Sequence, residues 1–400
     1  MRIGAYMYPW DVDGDPAAAD RITGLGLTEV TLAAAYHAVR AVTPFHPRHR
    51  IVTRDAAVYY RADPARWDGM RLRPPARDLA AADPGLAAAD RAAPDPGAGD
   101  PAGSFERAAA ALRSAGLSVT AWLVLTHNSR LAATGECAVR NAFGDVYPWA
   151  LCAGSPDVRE YTAMLAAEVA ALPGVDAIEL EACGWYGFEH GSAHDKTGSV
   201  AGPAGDDGLW LLSLCFCPVC SESYRSAGAD PANLAAQVRA AADGGGALPD
   251  DAAALLDQAR AAAAGRLLTG VLTAVRAAAP GRAVLVHSAP DPRSVGANPG
   301  YDPAQLCGPG GADGIMLACG NPATAADLVA RTAAAAPPGA RIAAVLQAVA
   351  GLGGQPQTLP AQAAAVRAAG ATELRLYHAG LAAGGDLTAI RELCQAAVRP

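Results

Sequence analysis

Short apolar runs alternate with alanine-rich, helix-compatible segments along the 400-residue chain. The runs at 2–8, 28–36, 117–126, around Ile178–Glu181, and at 283–288, 314–318, 341–348 and 373–378 read as strands. Between and after them, helices are expected at 16–25, 104–116, 156–171, 251–279, 302–307, 322–335, 360–369 and 386–397. Local signals support several of these. Ser104 precedes Glu106 and a stop at Gly116, and Ser155 precedes Pro156, as N-caps and first turns require. Strands alternating with helices predict a parallel sheet. Eight such units filling the chain favour a closed barrel. A dinucleotide-binding sheet needs a glycine-rich first turn, and the turn Tyr8-Pro-Trp-Asp-Val-Asp-Gly14 is not one. The expected fold is therefore α/β, a single (β/α)8 TIM barrel over residues 1–400. Long excursions follow strand two (38–103, broken by prolines, with a short strand around Ala57–Tyr60 and a poorly ordered portion expected at 84–103) and strand four (183–250).

The fourth strand has an unusual pattern. Ile178 and Leu180 alternate with Glu179 and Glu181. Residues two apart share a face of a strand, so the aliphatics face the helices and both carboxylates face the barrel. On strand eight, Arg375 falls on the face of Glu373 and Tyr377, and even-numbered strands share layers in such barrels. An inward Arg375 would pair with Glu179, leaving Glu181, nearer the rim, as the catalytic carboxylate. The other strand ends carry Trp10 and Asp11, His37, His127 and Asn128, His287, Asn321, Gln347 and His378, with Trp185, Tyr186, Glu189 and His190 on the loop after strand four. The C-terminal ends of barrel strands are where barrel enzymes place their chemistry. Strand ends are also where polar residues become tolerable, so any one histidine here is as readily a cap as a ligand.

Composition narrows the class. The chain is 52% hydrophobic and 18% charged, with a formal net charge of −8, which suits a globular protein. No basic run supports nucleic-acid binding; Arg48-His49-Arg50 is the densest cationic spot. No apolar stretch has the length of a membrane span, and Met1–Pro9 runs into a strand instead of a leader. The expectation is a cytoplasmic protein. Its oligomeric state is not legible.

A Gly-x-Ser-x-Gly elbow, a P-loop and a His-x-His pair on strand one are all missing. What remains is a pocket of carboxylates, aromatics and amides. Sugar rings stack on Trp10, Trp185 and Tyr186, and sugar hydroxyls suit His37, His127, Asn128, His287, Gln347 and His378. Cleavage of a glycosidic bond needs a carboxyl acid and a second carboxylate. Glu181 fits the first role. Many barrel glycosidases carry the second on strand seven, where this chain has Gln347. Asp11, Glu189, Asp195 and Asp291 are the substitutes, with Glu189 and Asp11 favoured by their aromatic neighbours. A small carbohydrate is thus the expected ligand, with no cofactor for catalysis. Two other readings stay open: a non-catalytic carbohydrate-binding barrel, and a metal-dependent sugar isomerase using His37, Glu181 and His287.

Several stretches together carry a resemblance: Tyr36-His37 with Thr43-Pro-Phe-His-Pro47, Leu125-Thr-His-Asn-Ser-Arg130, Arg140-Asn-Ala-Phe-Gly-Asp145, Glu179-Leu-Glu181, Gly187-Phe-Glu-His-Gly191 and Leu214-Cys-Phe-Cys-Pro-Val-Cys220. They resemble a bacterial group of glycosidase-like TIM-barrel proteins without a settled activity. The resemblance implies a barrel and a carbohydrate-related role, and assigns no catalytic residue.

Cys215, Cys217 and Cys220 form a C-x-C-x-x-C motif. In a reducing compartment this spacing suggests three ligands of a structural zinc, with Cys183 or His194 as the fourth. A Cys217–Cys220 redox pair and three small packed thiols are the alternatives.

Overall fold

The computed structural model describes residues 1–74, 103–191, 195–197 and 207–398. The eight expected strands form one closed parallel barrel: β1 (Arg2–Met7), β2 (Glu29–Tyr36), β3 (Ser118–Val124), β4 (Ala177–Glu181), β5 (Ala283–His287), β6 (Gly314–Ala318), β7 (Arg341–Gln347) and β8 (Glu373–Tyr377). Closure is made by β1, which pairs with β8 through Gly4↔Arg375 and with β2 through Gly4↔Glu29. Helices follow as α1 (Ala18–Thr23), α2 (Ser104–Ser114), α3 (Pro156–Ala170), α4 (Asp250–Ala278), α5 (Pro303–Leu306), α6 (Pro322–Ala335), α7 (Leu359–Ala368) and α8 (Gly385–Val398). This is a (β/α)8 TIM barrel. None of the described helices is long and apolar enough to cross a membrane.

Both excursions contain more structure than their sequence suggests. The first holds an antiparallel hairpin, Val39–Val42 with Ile51–Arg54, and a short strand, Ala57–Val58, that adds antiparallel to β2. The part expected to be poorly ordered, 84–103, lies outside the described residues except for Gly103. The second carries helices at Gly208–Ser213, Pro218–Ser226 and Pro231–Ala242. A further hairpin, Ala138–Arg140 with Val146–Leu151, follows β3. Proline at the first turn of most of these helices, with Asp230 capping the last, set their starts. The many Pro, Gly and Asp residues read as loop because they mark helix beginnings as often as breaks.

The barrel interior is divided. One side is apolar, with Leu285, Met316 and Ala343 buried together. The other holds a charged network around Arg375, which is fully buried. Its guanidinium lies 2.7 Å from Glu29, 3.0 Å from Glu373 and 3.8 Å from Glu179. The expected pairing with Glu179 is therefore present, but Glu29 is the closer partner. A Cβ at Gly4 would stand 3.1 Å from Cδ of Arg375; the glycine makes room for the side chain across the ladder. Arg341 also grips Glu373 with both nitrogens, at 2.5 and 2.8 Å.

Candidate functional site

The barrel's C-terminal mouth is built from inward strand positions. Tyr6 on β1 donates a short hydrogen bond to Glu179, and His287 Nε2 at the end of β5 lies 2.7 Å from the same oxygen. Thr31 donates to the other oxygen at 3.4 Å. Glu179, with no exposed surface, is thus held from three strands besides its contact with Arg375. Burial alone would lower the His287 pKa, but the hydrogen bond and charge of Glu179, with Glu181 behind them, raise it. The result is a buried His287–Glu179 pair in the layer beneath the mouth.

Glu181 stands one step further out and is partly exposed. The Trp122 indole N–H donates to its Oε2 at 2.8 Å. Burial raises its carboxyl pKa; His287 and the Trp122 bond oppose this, and Glu179 adds to it. A carboxyl group held protonated above its usual range, at the rim of a barrel, is the equipment of a general acid. Replacing Trp122 by Phe removes a bond that favours the ionised form, so the Glu181 pKa should rise further. An acid catalyst loses activity as pH rises through its pKa. The alkaline limb of the pH–kcat/KM profile is therefore expected to move upward in Trp122→Phe, and an unmoved limb would separate Glu181 from it.

Aromatic rings surround this carboxyl. Trp122 meets Tyr6 at 4.8 Å and Tyr36 at 4.6 Å, while Tyr377 meets Tyr6 at 5.4 Å. Tyr8 stacks between Trp10 and His378, each at 4.5 Å. On the other flank, His127 stacks on His37 at 4.2 Å and on Tyr186 at 4.0 Å, with His190 edge-on to both histidines. Burial, reinforced by neighbouring histidines, lowers the pKa of His37 to about 4 and of His127 to about 2. Burial alone lowers that of His378 to about 3. All three are neutral at physiological pH. Trp10 Nε1, His127 Nε2, Gln347 Oε1 and both nitrogens of His378 are buried with no hydrogen-bond partner among the described residues. Such unmet polar groups are costly unless a ligand or water satisfies them.

The other expected residues are placed as follows. Asn128 caps the short helix Ser129–Ala132, accepting from Arg130 and Leu131. Trp185 donates to the Arg260 carbonyl at 2.9 Å, tying the loop after β4 to α4. The Tyr186 hydroxyl donates to the His190 carbonyl. Glu189 is partly buried against the chain at Gly296. Its charge acts on Tyr186, as do those of Glu181 and Asp195. Asp11 is buried, accepts from Tyr8 N at 2.8 Å and lies 4.0 Å from His378 Nδ1. Burial raises its pKa from 3.8 to about 7, opposed by the Tyr8 bond and Arg21. A raised carboxyl pKa favours the protonated form in the folded state, so the associated stability is full at low pH and is lost as pH rises from about 3.8 to about 7. Asp11→Asn should flatten that part of the stability–pH curve; denaturant titrations at pH 4 and pH 8 would show it.

The cysteine motif gains a fourth member that its spacing did not indicate. Cys152, just after the hairpin strand Val146–Leu151, joins Cys215, Cys217 and Cys220, with all four sulfurs within 4.8 Å of one another. Cys183 is not in the group; its carbonyl accepts from Tyr301. His194 lies outside the described residues. Among the described residues, this is the only group of three or more His, Cys, Asp or Glu ligand atoms so close together. Among the described residues, His37, Glu181 and His287 do not form such a group.

Sequence reasoning passed over Tyr6, Tyr8, Tyr36, Trp122 and Tyr377. Tyr6, Tyr36, Trp122 and Tyr377 occupy inward strand positions, where aromatics read as core, and Tyr8 follows the end of β1. Strand parity relative to Glu179 and Arg375 was the available signal.

No protein-family model matches the chain, and no curated protein does. Among solved structures, α-L-fucosidase isoenzyme 2 from Paenibacillus thiaminolyticus is similar at 14% identity and a TM-score of 0.55, over 99% of this chain and 49% of that one. A β-galactosidase from the psychrophilic Marinomonas ef1 matches at 9% and 0.55, over 99% and 59%. The β-galactosidase of Bacillus circulans sp. alkalophilus matches at 10% and 0.55, over 99% and 55%. The chain spans 49% to 59% of the length of these proteins. The likeness is one of fold, a (β/α)8 barrel.

Proposed function

We propose that the chain hydrolyses a glycosidic bond, with Glu181 as the general acid. The observation that carries this reading is Glu181 itself. It is a carboxyl at the C-terminal end of β4, raised by burial, held by Trp122 and ringed by tyrosines. The unpartnered nitrogens and oxygen of His127, His378, Gln347 and Trp10 suit a polyhydroxylated ligand. Barrels of this fold include proteins named α-L-fucosidase and β-galactosidase.

In this reading, protonated Glu181 gives its proton to the leaving oxygen as the bond to the anomeric carbon breaks. Glu189 is the second carboxylate. It shares the field at Tyr186 with Glu181, whereas Asp11 acts on Tyr8, on the other flank. Glu189 takes a proton from water as the water oxygen bonds to the anomeric carbon.

A second reading, a barrel that binds carbohydrate without turnover, is favoured by one observation: β7 ends in Gln347, an amide that cannot serve as nucleophile or base. A panel of aryl-glycosides and natural oligosaccharides, assayed with the parent chain and Glu181→Gln, separates the two. Turnover by the parent that is lost in the variant supports hydrolysis. Thermal stabilisation by a sugar without turnover in either protein supports binding alone.

A further inference from the structure

The four cysteines share one buried point between two loops. Sulfur–sulfur separations from Cys152 are 3.5 Å to Cys220, 3.7 Å to Cys217 and 3.8 Å to Cys215. A disulfide needs about 2.05 Å, and all four are free thiols. Sulfurs placed about 2.3 Å from a central zinc, at the corners of a tetrahedron, stand about 3.8 Å apart. The separations from Cys152 match that edge length, and all four sulfurs lie within 4.8 Å of one another.

The surroundings suit a charged centre. The Arg140 backbone N–H donates to Cys215 Sγ at 3.5 Å. Cys217 is the N-cap of the helix Pro218–Ser226, where the helix dipole favours negative charge. A Cβ at Gly154 would lie 3.3 Å from Cys220 Sγ and 3.5 Å from Cys152 Sγ, so a glycine there keeps the chain's closest approach clear of the sulfurs.

We propose that Cys152, Cys215, Cys217 and Cys220 bind one structural zinc ion that clamps the hairpin after β3 to the excursion after β4. With four protein ligands the site is closed to substrate, so it acts on structure and not in catalysis. It is also well placed to hold the mouth. The Cys152 hairpin bonds to the His127 loop through Leu151 N to Thr126 O and Asn128 N to Trp149 O. The Cys215 segment bonds to the hairpin through Phe216 N to Arg140 O at 2.6 Å and Tyr147 Oη to Leu212 O at 2.7 Å. The clamp thus links the two loops that carry His127 and Tyr186.

The test is metal analysis of the full chain purified without added metal. One zinc per chain is expected by mass spectrometry of the elements, and cobalt substitution should give the thiolate-to-metal charge-transfer band of four sulfur ligands. Cys183→Ser should keep one zinc per chain. Cys152→Ser should bind zinc at least about tenfold more weakly, a loss that removal of even an outer partner of a ligand can cause. A parent chain with no stoichiometric metal after reconstitution under reducing conditions would overturn the proposal. So would a cobalt spectrum lacking thiolate ligands, iron in place of zinc, or unchanged zinc affinity in folded Cys152→Ser. The parent measurements hold even if Cys152→Ser fails to fold.

Discussion

Glu181→Gln is expected to lower kcat/KM on a natural oligosaccharide by about 10²–10⁴-fold, the usual worth of a positioned general acid. The amide keeps the shape and can still accept from Trp122 Nε1, now 2.8 Å from Glu181 Oε2. What it cannot do is give a proton to the leaving oxygen. The loss should therefore depend on the leaving group. A dinitrophenyl glycoside, whose leaving group departs without protonation, should suffer far less than a sugar–sugar linkage. Equal losses on both substrates would point to a binding role for Glu181. The fold should be undisturbed, because the network beneath is anchored on Glu179 and Arg375.

Arg375→Ala is expected to cost about 3–5 kcal/mol of stability, the range for breaking a buried ion pair from one side. The reason is the company Arg375 keeps. Glu29, Glu179 and Glu373 are all buried around one guanidinium with no exposed surface. Glu373 retains Arg341 in the variant, and Glu179 retains His287. Among the described residues, Glu29 keeps only the Thr120 hydroxyl at 2.6 Å. Its carboxylate is the one left most exposed to the desolvation cost, so Glu29→Gln in the Arg375→Ala background should recover part of the loss. Urea denaturation of the four proteins measures the coupling. Additive losses would separate Glu29 from Arg375.

The barrel was legible because its strands repeat one pattern. Apolar runs bounded by turn residues recur eight times, and their observed ends differ from the expected ones by a residue or two, as at β5, expected at 283–288 and found at Ala283–His287. The inward carboxylates were legible from the alternation of Ile178 and Leu180 with Glu179 and Glu181. Parity put Arg375 on one face with Glu373 and Tyr377 and gave Glu179 as its partner if that face were inward, but Glu29 as its nearest partner needed the register Gly4↔Glu29 and Gly4↔Arg375 to be known. The mouth's aromatic lining was harder to read. Tyr6 and Trp122 lie within strands, and a strand aromatic carries no sign of whether it faces helices or the barrel until the register is fixed. The fourth thiol was not readable at all. Cys152 is separated from Cys215 by two helices and a strand, and no spacing rule connects them. The hairpins after β2 and β3 were hidden for a related reason: their strands are three to six residues long, too short for alternation to register.

The most direct test of the hydrolytic reading is to incubate the purified chain with the oligosaccharide panel in ¹⁸O-water and weigh the products. Hydrolysis predicts a new reducing sugar carrying one ¹⁸O at its anomeric carbon, formed by the parent chain and suppressed in Glu181→Gln. Products formed equally by both proteins would contradict the role of Glu181. A panel left intact by a folded parent chain that nonetheless binds one of its members would contradict hydrolysis itself.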